Sequence, residues 1–179
     1  MNLLIISDIH GIKTNLPKIK EKFDEFKCDK LIVLGDLFYI GPRNNMIEGY
    51  DIDYVKDFLN SYKDKIICIQ GNCDSAVDKM VCDFPIISDL GIVSTINEDL
   101  YLTHGHIYNE SYWNKTNSTL IYGHLHKPFI HEYETNTYIN PGSISLPKDE
   151  HKPSYLIYDE KSFTIYDIDD NIIAKKDLF

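Results

Sequence analysis

Five short apolar runs in this chain each stop at a polar residue able to bind a metal, and that pattern limits the fold more than any other feature. Residues 1–6 lead to Asp8-x-His10, 31–34 to Gly35-Asp36, and 66–69 to Gly71-Asn72. Residues 100–102 lead to His104-Gly-His106, and 120–122 to Gly123-His124-x-His126. Runs this short and this apolar read as buried strands. In an open α/β sheet, ligands bind beyond the carboxyl ends of the strands, so these five ends converge on one site. Carboxylate, amide and imidazole donors without thiolates suit borderline or hard divalent ions. Asp8, His10, Asp36, Asn72, His104, His124 and His126 are therefore expected to build a two-metal hydrolytic centre.

The segments between the first runs carry helical spacing. Leu16, Ile19, Phe23 and Phe26 predict a helix over 15–27, with Pro17 tolerated in its first turn. Asp51 is the expected N-cap of a second helix whose apolar face is Val55, Phe58, Leu59 and Tyr62. A third helix is expected over 75–82, ended by Asp83-Phe84-Pro85. From residue 86 the pattern turns β-rich, with strands expected near 91–96, 100–103, 118–122, 129–133, 137–140, 154–159, 162–168 and 171–176. Glu134-Thr135-Asn136 and Asp169-Asp170-Asn171 read as hairpin turns. The predicted fold class is α/β, a double β-sheet sandwich flanked by helices, with the metal site at the strand C-terminal ends. Without repeats or a linker-like break, 1–179 reads as one domain. Two loops, 38–50 and 107–117, leave ligand-bearing strands and are expected to border the site, although 107–117 reads equally well as ordinary surface.

A net charge of −10 argues against extended nucleic-acid binding, which needs a basic footprint. It is compatible with a small phosphorylated substrate, because two divalent cations add about +4 locally. The N-terminal run meets an acid at position 8, so it reads as a strand and not a signal peptide. No stretch approaches the ~20 apolar residues of a membrane span. A cytoplasmic protein is expected. Cys28, Cys68, Cys73 and Cys82 show no paired spacing; Cys28 and Cys68 read as buried small hydrophobes. Asn-x-Ser/Thr triplets at Asn109, Asn114 and Asn117 are read as chance, since glycosylation needs secretion. His131 and His151 fall outside the ligand blocks and read as surface residues.

Taken in order, Asp-x-His, Gly-Asp, Gly-Asn-x-Asp, His-Gly-His and Gly-His-x-His resemble the calcineurin-like metallophosphoesterase superfamily over nearly the whole chain. Gly41-Pro42-Arg43-Asn44, Gly71-Asn72-Cys73-Asp74, Thr103–His106 and Asn140-Pro141-Gly142-Ser143 resemble, more narrowly, the small phosphodiesterases of the YfcE type. The resemblance implies that Asp8, His10 and His126 hold one metal, that Asn72, His104 and His124 hold the other, and that Asp36 bridges them. Mn²⁺ is the implied metal, although other divalent ions substitute. A pair of metals about 3.5–4 Å apart activates a shared hydroxide and clamps a phosphoryl group, which makes a protein nucleophile unnecessary. Small phosphodiesters are the implied substrates and a homo-oligomer, dimer or tetramer, the implied assembly. His106 is placed near the substrate or behind the ligands.

Arg43 is the only arginine in the chain and, with Asn44, is a candidate substrate contact; a plain surface arginine is the competing reading. At Cys73 many relatives carry a histidine that assists the leaving group. A thiol near pKa 8.5 is a poorer acid than imidazolium at neutral pH, so Cys73 is read as a weak leaving-group contact or a packing residue. Asp74 is expected either to orient this loop or to cap the next helix. Competing functions are a non-catalytic metal-binding scaffold on the same fold, and a phosphomonoesterase or cyclic-nucleotide phosphodiesterase with the same chemistry.

Overall fold

The first strand faces two cores, which is why its sequence is apolar without alternation. In the computed structural model, which describes residues 1–41 and 47–179, β1 (Leu3–Ile6) points Leu4 and Ile6 into one buried cluster and Leu3 and Ile5 into another. The first cluster lies under α1 (Leu16–Glu25) and α2 (Ile52–Asn60), meeting Leu16, Ile19, Phe23, Val55, Phe58 and Leu59. The second is closed by residues of another sheet, among them Leu100, Leu102, Ile121 and Ile139. Each fully buried Leu or Ile here contributes about 1.5–3 kcal/mol of transfer free energy.

The larger sheet has the order β12-β11-β10-β1-β2-β3-β4. Its parallel half contains β1, β2 (Lys30–Val33), β3 (Ile66–Ile69) and β4 (Ile86–Ile87). Antiparallel β10 (Ser154–Tyr158), β11 (Ser162–Asp167) and β12 (Ile172–Asp177) complete it. The smaller sheet runs β5-β6-β7-β9-β8, from β5 (Gly91–Ser94), β6 (Asp99–Thr103), β7 (Thr119–Tyr122), β8 (Pro128–Tyr133) and β9 (Asn136–Pro141). In it β6, β7 and β9 are parallel. The ends of β1, β2, β3, β6 and β7 carry all seven candidate metal ligands.

Most expected elements form. Asp51 caps α2, its carboxylate accepting the Tyr54 N–H at 3.0 Å. The β8–β9 turn places Glu134 at φ 53° and the β11–β12 turn places Asp170 at φ 68°. Three readings change. The third helix is a single turn, α3 (Asp78–Val81), with no buried residue. Packing gives it nothing to extend on, and Asp78 instead accepts the Ser75 N–H at 2.6 Å, closing a local turn. The two-residue strand β4 was not foreseen. The 107–117 loop covers the outer face of the small sheet: Trp113 packs 5.1 Å from the Tyr101 ring and donates its indole N–H to Ser118 Oγ at 2.8 Å. No helix among the described residues is long and apolar enough to cross a membrane.

Candidate metal centre

Five of the candidate ligands leave their strands in the left-handed region: Asp8 at φ 57°, His10 at 51°, Asp36 at 57°, His124 at 66° and His126 at 61°. That conformation turns the chain sharply at a strand end. It costs roughly 1–2 kcal/mol per ordinary residue and less for Asp and His. Strain of this kind concentrates where function demands a geometry. Two glycines permit the approach. A Cβ on Gly71 would lie 2.1 Å from Asp36 Oδ1, and one on Gly123 would lie 1.9 Å from Ser7 Oγ and 2.9 Å from Asp8 Oδ2.

The loops after β1 and β2 are laced together, with Asp8 N–H donating to Gly35 O at 3.1 Å and His10 N–H to Asp36 O at 2.9 Å. Three histidines are pinned from behind. His10 Nδ1 meets Tyr39 O at 2.7 Å, His104 Nδ1 meets Leu34 O at 2.6 Å, and His126 Nδ1 meets Leu146 O at 2.5 Å. A ring nitrogen donating to a carbonyl fixes the tautomer and leaves the Nε2 lone pair free for a metal, the usual support of a metal-binding imidazole. Those Nε2 atoms face carboxylates. His126 lies 3.2 Å and His10 3.8 Å from Asp8 Oδ1, while His10 lies 3.6 Å and His104 3.4 Å from Asp36 Oδ2. Asp36 thus stands between the His10 side and the His104 side. Its other oxygen accepts the Cys73 N–H at 2.8 Å.

Asn72 Oδ1 sits 3.0 Å from His104 Nε2, and the His124 ring centroid lies 5.1 Å from that of His104. Asn72 is exposed and His124 half-buried. The ligand atoms of Asp8, His10 and His126 lie within 4.8 Å of one another, as do those of Asp8, Asp36 and His104, and of His10, Asp36 and Cys73. Cys73 therefore stands closer to the donor set than a pure packing role requires. Its sulfur also accepts from Asn72 Nδ2 at 3.3 Å.

Electrostatics mark a place for cations. Burial alone would push Asp8 up, but His126, whose Nε2 stands 3.2 Å from Oδ1, and the charge of His104 hold its carboxyl below the ordinary range. The same contest at Asp36, against burial, is decided by His104 and leaves it well below that range. Burial opposes charge on His104, yet Asp36 and Asp8 raise the imidazole to about 9. A positive charge is thus demanded between the carboxylates, and a divalent cation meets that demand while releasing the proton. Among the described residues, buried Asp8 Oδ1 and His10 Nε2 make no well-formed hydrogen bond. Unpaired buried polar atoms are costly, and these two point at one volume. The donor set fits divalent metal ions.

A cavity of about 560 Å³ opens over this cluster, lined by His10, Asp36, Asn72, Cys73, His124 and His126, and by Ile40, Gly41 and Leu146–Lys148. His106 is exposed beside the cluster, its ring 5.4 Å from His104, and does not belong to the described lining. Burial and the charge of His104 lower its pKa. Arg43 and Asn44 lie outside the described residues. His131 is at the surface, 2.9 Å from Glu110. Burial pushes the Cys28 thiol up to about 12 and that of Cys68 well above the ordinary value, as their reading as inert core residues requires.

Several supporting residues carry more than the sequence assigned them. The Asp74 carboxylate accepts the N–H groups of Asp36 at 2.9 Å, Leu37 at 2.7 Å and Gly71 at 2.7 Å. It orients the two ligand loops and caps no helix. Ser143 Oγ donates to Asp8 O at 2.8 Å and accepts from Leu146 N at 2.7 Å, while Asn140 Nδ2 donates to Gly123 O at 2.7 Å. Asn140-Pro-Gly-Ser143 is thus the buttress behind Asp8 and His124, a role its turn-like composition does not show. The wall at Leu146–Lys148 has no sequence signal at all.

Two packed sheets with carboxylates and imidazoles gathered at parallel strand ends define a metallophosphoesterase. The chain belongs to the calcineurin-like phosphoesterase superfamily, whose domain model matches residues 1–162. It is 37% identical to phosphodiesterase YfcE of Escherichia coli K12 over 98% of this chain and 97% of that protein. The solved structure of YfcE, described as a phosphoesterase from E. coli, superposes with a TM-score of 0.95 at 35% identity, covering 100% of both chains. Vacuolar protein sorting 29 from Cryptosporidium parvum shares the fold, with a TM-score of 0.66 at 17% identity over 98% of this chain and 97% of that one.

Proposed function

We propose that this chain, as one domain over 1–179, is a two-metal phosphodiesterase acting on small phosphodiesters. Asp8, His10 and His126 hold one ion, Asn72, His104 and His124 the other, and Asp36 bridges them; Mn²⁺ is the proposed metal. The observation that carries the reading is the set of three buried histidines pinned through Nδ1, with Nε2 aimed at Asp8 and Asp36. Bound divalent ions supply an activated water at neutral pH and neutralise charge on the phosphoryl oxygens.

The chain's own groups do the rest. Pinned imidazoles and the Asp74 hub hold the donors in place before substrate arrives, which lowers the reorganisation needed at reaction. Lys148, in the cavity wall, offers a cation to a phosphoryl oxygen, with Arg43 and Asn44 as further proposed contacts. Cys73 faces the departing ester oxygen; burial, then Asp36, pushes its thiol up to about 12, so it gives that oxygen little proton help. His106 borders the His104 side, placed to touch substrate. All four cysteines are free thiols, in keeping with a proposed cytoplasmic location. A dimer or tetramer belongs to the same reading, measurable by sedimentation.

The test is reconstitution of chelated protein with Mn²⁺, Mg²⁺, Zn²⁺ or Ca²⁺, followed by assay on panels of phosphodiesters and phosphomonoesters. Mn²⁺ should restore the highest rate, and diesters should exceed monoesters. A monoester preference would move the assignment to a phosphomonoesterase. Metal binding without turnover of any ester would favour the scaffold reading and sink the enzyme.

A further inference from the structure

A second cavity adjoins the metal centre. It measures about 360 Å³ and is lined by Phe38, Tyr39, Tyr50, Ile52, Cys73, Ser75, Val77 and Asp78. Among the described lining residues, Cys73 alone belongs to both cavities. Cys73 is therefore the edge shared by the metal cavity and this groove.

The groove is apolar where a soluble surface is usually polar. Tyr39 is 50% exposed, Ile52 41% and Val77 63%, and all three line it. Apolar surface gathered beside a charged centre marks a binding site more often than chance. Its polar atoms ask for little: the Asp78 carboxylate already accepts the Ser75 N–H, and no cation lines the described wall. The walls are fixed. Tyr50 forms a β-bridge with Ile12, and the Asp51 N–H donates to Gly11 O at 2.8 Å. The Tyr39 carbonyl accepts from His10 Nδ1 at 2.7 Å, which ties the groove wall to the candidate metal ligand.

The geometry points to a substrate-specificity subsite: the groove receives an aromatic ring, aryl or nucleobase, carried on one ester oxygen of the phosphodiester. The inference rests on the phosphodiesterase reading above and narrows its substrate class. Two tyrosine rings and branched aliphatic side chains match a flat, weakly polar group, since aromatic faces gain from both stacking and area removed from water. The volume of about 360 Å³ accommodates a ring system. Continuity with the metal cavity through Cys73 favours part of the substrate over a protein surface as the occupant.

Calorimetry on the Mn²⁺-reconstituted protein tests this without turnover. Phenylphosphonate should bind about 10-fold more tightly than methylphosphonate, on the scale of one buried ring. Val77→Asn and Ile52→Asn should cut that ratio to about threefold or less while methylphosphonate binding stays unchanged. A matching preference for adenosine 5′-monophosphate over ribose 5-phosphate, lost in the same variants, names a nucleobase as the ring; its absence alongside a phenyl preference names a simple aryl group. Equal binding of phenyl- and methylphosphonate overturns the subsite and leaves the phosphodiesterase reading standing. Absence of all phosphonate binding and of all diester turnover overturns both. If the variants dissociate an oligomer without changing the ratio, the groove belongs to a second copy of the chain and the subsite is wrong.

Discussion

The two halves of the ligand set are held differently. On the side of Asp8, His10 and His126 every donor is buried, and both imidazoles are locked from behind by backbone carbonyls. On the side of Asn72, His104 and His124, only His104 is locked in this way among the described residues. Asn72 is exposed and reaches toward Cys73 as well as His104. Preorganisation differs although the proposed ligand count does not. The first half should keep its ion through dilution and mild chelation, and the second should exchange its ion readily.

Asp36 Oδ2 stands between the two halves, 3.6 Å from His10 Nε2 and 3.4 Å from His104 Nε2, so Asp36→Asn should have the largest effect. Asparagine tolerates the left-handed backbone at this position, so the circular dichroism spectrum should match wild type. Turnover should fall by about 10³-fold or more, since metal polarisation of a phosphoryl oxygen is worth several kcal/mol. Elemental analysis should show reduced occupancy on both sides. Two full equivalents of metal in an active Asp36→Asn enzyme would remove the bridge and with it the comparison.

The asymmetry itself is tested by His126→Ala against Asn72→Ala. Removing His126 should weaken one equivalent of metal by more than ~100-fold, the scale reached by losing even an outer-sphere partner. Removing Asn72, a neutral and solvent-exposed donor, should cost about tenfold, close to the value of one neutral contact. Metal titrations that rank the two variants in the opposite order would show that the carbonyl locks do not set affinity.

Much of this site was legible in the chain, and the reason is local. A candidate ligand two residues beyond a short apolar run is visible wherever a buried strand ends, which is how Asp8, Asp36, His104 and His124 stand out. The support was less visible. Asp74 follows Gly-Asn-Cys and precedes a short helix, so a cap and a hub look alike in sequence; only three converging N–H groups separate them. The Trp113 loop leaves a ligand strand, yet its aromatic packing takes it to the outer face of the small sheet. The single turn α3 shows the limit of a boundary signal: Asp83-Phe84-Pro85 marks where the segment ends, but with no residue of α3 buried nothing holds a longer helix. The left-handed ligands leave no pattern, because Asp and His adopt that conformation only when the surrounding loops impose it.

The exposed half includes Cys73, and Cys73→His probes it with a smaller effect. With the thiol at about 12, activated esters such as nitrophenyl diesters should turn over well and alkyl or ribose diesters slowly. A histidine at this place should raise the rate on the poor leaving groups, by up to ~10²-fold if its geometry is good, and change the activated esters little. Equal change on both classes would show a packing residue with no link to the leaving group.

The smallest effect concerns a carboxylate hub outside the ligand set. Asp170, on the β11–β12 turn, lies 3.0 Å from Lys18 Nζ and 2.9 Å from Lys22 Nζ, and accepts the Tyr155 hydroxyl at 3.0 Å. Burial works against its charge, but Lys22, Lys18 and Tyr155 prevail and hold its carboxyl down at about 2, against an ordinary 3.8. From about pH 4 down to about pH 2 the unfolded chain takes up this proton while the folded protein resists it. The stability that Asp170 contributes is therefore present above pH 4 and lost as pH falls through that window. Asp170 is substantially exposed, so solvent screening keeps the contribution modest. Asp170→Asn should lower the melting temperature at neutral pH, partly because buried Lys22 then keeps Glu25 as its one ion-pair partner among the described residues. The gap to wild type should close as pH drops from 4 to 2, with metal content at neutral pH unchanged. A gap that stays constant across that range would mean the turn is held by shape and not by charge. Metal loss in the same variant would mean that this hub and the Asp74 hub are mechanically one, and that the locked half of the site extends into α1.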